Sequence, residues 1–280
     1  MNYLMCKHGV YSNGIKKYAE DDIFISFYFD TNINKSNDLN NKNMFHHCIR
    51  NRYNNNNFLT NIKTYFINLD LREDRYIHCI NECNKVNITN IQKFSALKPT
   101  IDDVKACPLI DINKMWKKDD KYLIGATGCK LSHYNLLKKA LLENADYKYI
   151  LILEDDVCFD EFSVQYINLS IEYIEKNNID FDILYLSVNL KNKDDAEKID
   201  NSLLKIKKGL TTTGQIFQRK NLEKIIKSIE RSKTEIDNTY QNILENKYCV
   251  YPMCVYQKNF YSDINSKNMD YGEFHRNCSF

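Results

Sequence analysis

The sequence predicts an α/β domain built on a mostly parallel sheet with helices on both faces. Three observations carry that expectation. Residues 149–153 (YILIL) are an uninterrupted apolar run, the pattern of a strand covered on both faces. Segments on either side repeat apolar residues at spacings of three and four, the stripe of a helix laid on a sheet. The two patterns alternate along most of the chain, which is how parallel strands are connected.

Taken in order, residues 22–29 (DIFISFYF) read as a strand, and residues 30–57 as a polar linker ending in NRYNNNN, too poor in apolar surface to offset its ordering entropy. TYFIN (64–68) is a strand and LREDRYIHCINECNKV (71–86) a helix. Leu131, Tyr134, Leu137, Leu141 and Ala145 stripe a helix over 131–145 that leads into the apolar run. Val164, Ile167, Ile171 and Ile174 mark the next helix, DILYLSV (182–188) the next strand, and Leu222, Ile225, Ile226 and Ile229 a further helix. YCVYPMCVYQ (248–257) is the last strand, with Pro252 asking for a bulge or an edge. The domain then covers 59–264, between an N-terminal extension with its Asn-rich linker (1–58) and a tail (265–280).

With 39 basic and 37 acidic residues the net charge is +2, which favours neither nucleic acid nor a membrane surface as partner. No apolar run reaches the length of a membrane span, and the first residues lack the order of a signal peptide. The expected location is the cytoplasm, or the host cytoplasm if the chain is viral, since its wealth of Asn, Lys and Ile suggests an AT-rich genome. The ten cysteines are accordingly read as reduced, buried small residues. Cys79 and Cys83 share a helix face without a second pair at metal-ligand spacing, and His46, His47 and Cys48 lack a spaced partner set, so neither group reads as a metal site.

The apolar run ends in Glu154, Asp155 and Asp156. Ligands of such sheets bind outside the carboxyl ends of the strands. Strand geometry would send Glu154 and Asp156 to one side, about 7 Å apart, with Asp155 opposed. Such a pair repels unless something positive lies beside it, and Mg²⁺ or Mn²⁺ shared with a diphosphate is one answer. A solvated acidic loop is the other.

Four ordered segments, YFINLDLREDR (65–75), GATGCKLSHYNLLKKAL (125–141), ILILEDDV (150–157) and TTTGQIFQRKNLEKII (211–226), resemble glycosyltransferase family 25, a group including bacterial lipooligosaccharide and collagen hydroxylysine galactosyltransferases. EIDNTYQ (235–241) and YPMCVYQKNFYSDI (251–264) resemble its later motifs, and the likeness covers about 200 residues. The resemblance implies a GT-A-like, Rossmann-type sheet, an inverting, Mn²⁺-dependent transfer from a UDP-hexose (galactose or glucose), and an acceptor that is a glycan, a lipid-linked sugar or a hydroxylated protein. It implies Glu154 near the donor ribose and Asp156, with Asp155, on the metal. It also implies Asp237 as the base that deprotonates the acceptor.

The residues themselves agree. Asn68 and Leu69 end the first strand, where base or ribose can meet the main chain, and Arg72 and Arg75 offer charge for a diphosphate or for an acidic partner. Gly125 and Gly128 either let the backbone approach a ligand ahead of a helix starting near Lys130 or form a plain turn, and Ser132 and His133 fall in that helix's first turn, where His133 either meets a phosphate or caps the helix. For Asp237 the competing role is a helix cap, and Asp182 is a weaker candidate base. The chain departs from the family pattern at Glu235, usually proline, and at Gln215, usually Ala or Gly. Two rival functions are a metal-dependent phosphotransferase or hydrolase, although Cys158 stands where its threonine would, and a non-catalytic glycan- or nucleotide-binding module.

Overall fold

The apolar run becomes strand β6 (Tyr149–Glu154), in which Ile150, Leu151, Ile152 and Leu153 are fully buried. At roughly 1.5–3 kcal/mol for each buried aliphatic side chain, this one segment supplies much of the drive to form the sheet. The computed structural model describes residues 57–143 and 146–258, together with the backbone of a three-stranded antiparallel meander, β1 (Leu4–Cys6), β2 (Gly9–Ser12) and β3 (Ile15–Lys17). The strand expected at 22–29, most of the polar linker and the tail 265–280 lie outside the described residues.

After α1 (Phe58–Asn61), the chain forms β4 (Lys63–Asn68), α2 (Glu73–Lys85), β5 (Ile91–Ser95), α3 (Ile101–Ala106) and α4 (Asp120–Leu142) before reaching β6. There follow β7 (Val157–Phe159), α5 (Ser163–Lys176), β8 (Ile183–Tyr185), β9 (Ala196–Lys198), β10 (Leu203–Ile206) and β11 (Gly214–Gln218). The last elements are α6 (Leu222–Arg231), α7 (Ile236–Ile243), β12 (Lys247–Val250) and β13 (Val255–Gln257). The main sheet has the order β5-β4-β6-β11-β8-β12-β10-β9. From the pairings, six of its strands point one way and β10 and β11 the other, so the sheet is mostly parallel in direction but mixed in pairing. β7 and β13 make a separate antiparallel ribbon beside it.

Alternation along β6 divides the core. Leu151 and Leu153 meet Cys79 and Cys83 of α2 and Ile167, Ile171 and Ile174 of α5 on one face. Ile150 and Ile152 meet Leu136, Leu137 and Ala140 of α4, Ile225 and Ile229 of α6 and Tyr240 of α7 on the other. The cysteine pair of α2 is therefore core packing, as expected.

Three details differ from the sequence reading. α4 begins at Asp120, not near Lys130, its first turn capped by the Asp119 carboxylate on the Tyr122 N–H at 2.9 Å. The last predicted strand splits in two, because Tyr251-Pro252 turns the chain between β12 in the sheet and β13 in the ribbon. And β11, recognised only as a motif, is a strand inserted antiparallel beside β6.

Candidate active site

At the carboxyl end of β6, Glu154 is held by its backbone, whose N–H donates to Thr213 O at 2.9 Å, and Asp155 and Asp156 form the turn into β7. Glu154 follows Ile150 and Ile152 onto the α4 face. There its Oε1 accepts from Thr212 Oγ1 at 2.6 Å and from Cys129 Sγ at 3.7 Å. Asp155 turns to the α2 face. Its two oxygens accept from Arg75 Nη1 at 2.7 Å and Asn68 Nδ2 at 2.8 Å.

Asp156 returns toward Glu154, and one group touches both. Gln257 Nε2, from β13, is 3.4 Å from Glu154 Oε2 and 3.4 Å from Asp156 Oδ1. Glu154 and Asp156 thus come together as expected, although the strand ends at Glu154 and it is the turn that brings Asp156 back. Arg75 also reaches Asp156 Oδ2 at 3.6 Å, so one guanidinium serves two of three carboxylates. Burial, reinforced by Asp156, pushes the Glu154 carboxyl up, and burial pushes Asp156 up against the opposing pull of Arg75. A pair so placed either shares a proton or takes up a cation, and its hard oxygens fit Mg²⁺ or Mn²⁺.

The other expected residues distribute unevenly around the triplet. Asn68 is buried at the end of β4 with its Oδ1 unpartnered, and Leu69 follows it, half-buried. Arg72 binds its neighbour Asp74 through Nε and Nη2, both at 3.0 Å, and the guanidinium pulls the Asp74 carboxyl down to about 2.

Ser132 and His133 require a correction. They lie about three turns inside α4, not in its first turn, and both are fully buried. Ser132 Oγ donates to Gly128 O at 2.7 Å and accepts from Leu97 N at 2.8 Å. His133 Nδ1 faces the Tyr240 hydroxyl at 3.3 Å, and burial depresses its pKa to about 3, so it is neutral rather than a cation for phosphate. Gly128 likewise serves packing and not a ligand, since a Cβ there would sit 2.3 Å from Leu97 O.

Among the described residues, two side-chain clusters have ligand atoms within 4.8 Å of one another: Cys129 and His133 with Glu154 of the triplet itself, and His78, Glu82 and Cys158. The second is flanked by the ammonium groups of Lys85 at Glu82 and Lys258 at His78, which oppose a further cation.

α6 runs back from the foot of β11, so the 232–237 segment returns to the same rim as the triplet. Asp237 is the second residue of α7 rather than its cap, which is Glu235. Its Oδ1 accepts from Asn238 N at 2.8 Å, and burial pushes its half-buried carboxyl up. It bears electrostatically on Cys129, the thiol that touches Glu154. Glu235, the departure from the family pattern, is buried and well satisfied: Trp116 N donates at 2.7 Å, Tyr122 Oη at 3.0 Å and Asn238 Nδ2 at 3.0 Å. Burial would raise it, but these donors prevail and hold it below the usual range.

Asp182 proves to be scaffold, at the opposite rim with Lys224. Gln215 is fully buried in β11, its Nε2 donating to Thr211 O, so its bulk is spent inside the sheet. A cavity of about 390 Å³ also opens at the foot of β6, lined by Phe58, Tyr149 and Ile171 and by none of the acidic triplet.

Gln257, Thr212 and Cys129 were not foreseen as site residues. All three stand inside segments that carried the family likeness, but their convergence on Glu154 depends on strand pairing that no local pattern reports. Among the described residues no helix is long and apolar enough to cross a membrane. No curated protein matches the chain. Residues 61–240 match the family described as glycosyltransferase family 25 (LPS biosynthesis protein). With an α/β sheet presenting an acidic triplet at its carboxyl rim, the chain belongs to glycosyltransferase family 25, and its activity class is sugar transfer of the LPS-biosynthesis type.

Proposed function

We propose that the protein transfers galactose or glucose from a UDP-sugar to a hydroxyl of a glycan or a hydroxylated protein, inverting the anomeric carbon, with Mn²⁺ or Mg²⁺ at the acidic pair. The observation that carries this reading is the approach of Glu154 and Asp156 to one neutral amide, Gln257, at the rim where such sheets take ligands. When bound, the ion would hold the donor diphosphate and offset the charge that develops on it.

The chain's own residues supply the rest. Asn68, with a buried unpartnered Oδ1, and the main chain at Leu69 suit the ribose or base. Arg75 fixes Asp155 and keeps the triplet from carrying its full charge. Glu154 commits Oε1 to Thr212 and leaves Oε2 with only the long contact to the amide it shares with Asp156. In the transfer, the acceptor oxygen bonds to the anomeric carbon as the bond from that carbon to the β-phosphate oxygen breaks. The electron pair leaves with UDP and the acceptor proton passes to Asp237, whose burial makes it a stronger proton acceptor than an exposed aspartate.

With UDP-galactose or UDP-glucose, Mn²⁺ and a panel of glycan acceptors, the protein should release UDP. Asp237→Asn should lower kcat by about 100-fold or more while leaving UDP affinity, read by calorimetry, unchanged. UDP binding that is indifferent to EDTA, with no release for any acceptor, would instead favour a binding module.

A further inference from the structure

Trp116 is the single tryptophan of the chain, and 74% of it is exposed. Aromatic rings contribute most when buried, so an indole held in water is informative where an exposed leucine is not. The ring is not on a loose tip. Met115 beside it is buried in a small core with Val104, Tyr122, Leu123 and Ala126. The indole packs edge-to-face with Tyr122, centroids 6.1 Å apart at 76°, and Lys117 Nζ lies 4.8 Å from its centroid. These contacts restrict the ring before any ligand arrives, which lowers the entropic cost of binding to it.

The anchor of this arrangement is Glu235. Its Oε1 accepts both the Trp116 backbone N–H and the Tyr122 hydroxyl, which fixes the main chain from which the indole projects, and the same residue starts the helix that carries Asp237. The Lys233 carbonyl adds a second tie, accepting from Asp111 N at 2.9 Å. α4 descends from the carboxyl rim toward the foot of β6, so the segment entering it brings Trp116 to the rim that holds Asp237 and the triplet. Asn68 and Leu69, the nucleotide side, lie on β4 beyond β6, whereas Trp116 is tied to α7.

From this placement we infer that Trp116 is the stacking platform of the acceptor subsite, taking the C–H face of a pyranose ring. This rests on the sugar-transfer reading, because Asp237 marks the acceptor side. Pyranoses suit such a ring: one face presents C–H groups that can leave water, while the hydroxyls stay solvated at the edge. Aromatic platforms also accept nucleobases, so the competing occupant is the donor uracil.

Because the chain holds one tryptophan, indole emission reports Trp116 alone. In the full-length protein, methyl β-galactoside, methyl β-glucoside or lactose should shift emission to the blue and reduce acrylamide quenching roughly twofold, as expected when a stacked ring covers the open face. Mg²⁺ with UDP should leave both signals unchanged. With an acceptor that is turned over, Trp116→Ala should raise the acceptor KM about tenfold with kcat, donor KM and melting temperature near wild type, and Trp116→Tyr should restore most of it.

Protection by UDP and not by sugars would overturn the inference in favour of a nucleobase platform. Protection by neither, or a loss in Trp116→Ala confined to melting temperature, would overturn it in favour of a structural role. Absence of turnover with every acceptor would count against the sugar-transfer reading alone, and the fluorescence titration would still decide whether sugars stack.

Discussion

Two rims of one sheet each hold buried acid, and the acids are treated differently. At the foot of β8, Asp182 accepts from Lys224 Nζ at 3.0 and 3.1 Å and from the N–H groups of Glu245 and Asn246 at 3.2 and 3.1 Å. At the head of β6, Glu154 and Asp156 share an amide at 3.4 Å, and Asp156 sees its guanidinium only at 3.6 Å. A buried carboxylate with a cation and two backbone donors is complete and fastens elements together. Glu154 has one short donor, Thr212 Oγ1 at 2.6 Å, but Asp156 has only long side-chain contacts and faces another carboxylate, so the pair still has affinity for positive charge. Burial alone thus does not separate scaffold from site; the inventory of donors does.

The comparison breaks most visibly at Asp156. Asp156→Ala should weaken Mn²⁺-dependent UDP binding by about 100-fold or more, the scale of losing one of two anionic ligands, with the circular dichroism spectrum unchanged. Retention of full metal-dependent binding would remove the distinction between the rims.

Asp182→Ala should do the reverse. Leaving two backbone N–H groups and a lysine without their acceptor costs about 3 kcal/mol, or a fall in melting temperature of about 6–12 °C by calorimetry. UDP affinity should not move.

The smallest effect sharpens the electrostatic half. Burial, opposed by Arg75, leaves the Asp156 pKa pushed up to about 6. Between the normal aspartate range near pH 4 and that value, the folded protein holds a proton the unfolded chain has released, so stability falls as pH rises through this window. Asp156→Asn should therefore stabilise the metal-free protein by about 1–2 kcal/mol above pH 6, roughly 2–8 °C in melting temperature. The gain should shrink as pH falls toward 4.

Much of this frame is legible in the amino-acid sequence. The run into Glu154 marks the strand and its site end, because an uninterrupted apolar run that stops at charge reads as a buried strand reaching a rim, whereas the placement of Asp155 and Asp156 is set by the turn. The stripes of α5 and α6 were equally plain, since charged residues such as Glu223 and Lys227 mark the opposite face. What escaped notice depends on distant partners. The glycines of GATG look like a loop, yet Gly128 sits in α4 because the Leu97 carbonyl passes where a side chain would be. Ser132 and His133 consequently moved from a helix start to the interior. Short strands such as β9 and β10 carry too few residues to show a period, and Gln257 reaches Glu154 only through the β7–β13 pairing.

The location of Gln257 has a practical side. The family segment ends at 240, whereas the amide that sits between the two acids comes from 257, and β12, which flanks β8, lies between those positions. An expression fragment trimmed to the matched segment would keep every acidic group while shedding the neutral donor they share and one neighbour of a central strand. Glu154 would keep Thr212 and Asp156 its long contact with Arg75, but nothing would bridge the two acids, and inactivity of such a fragment would say nothing about the intact enzyme.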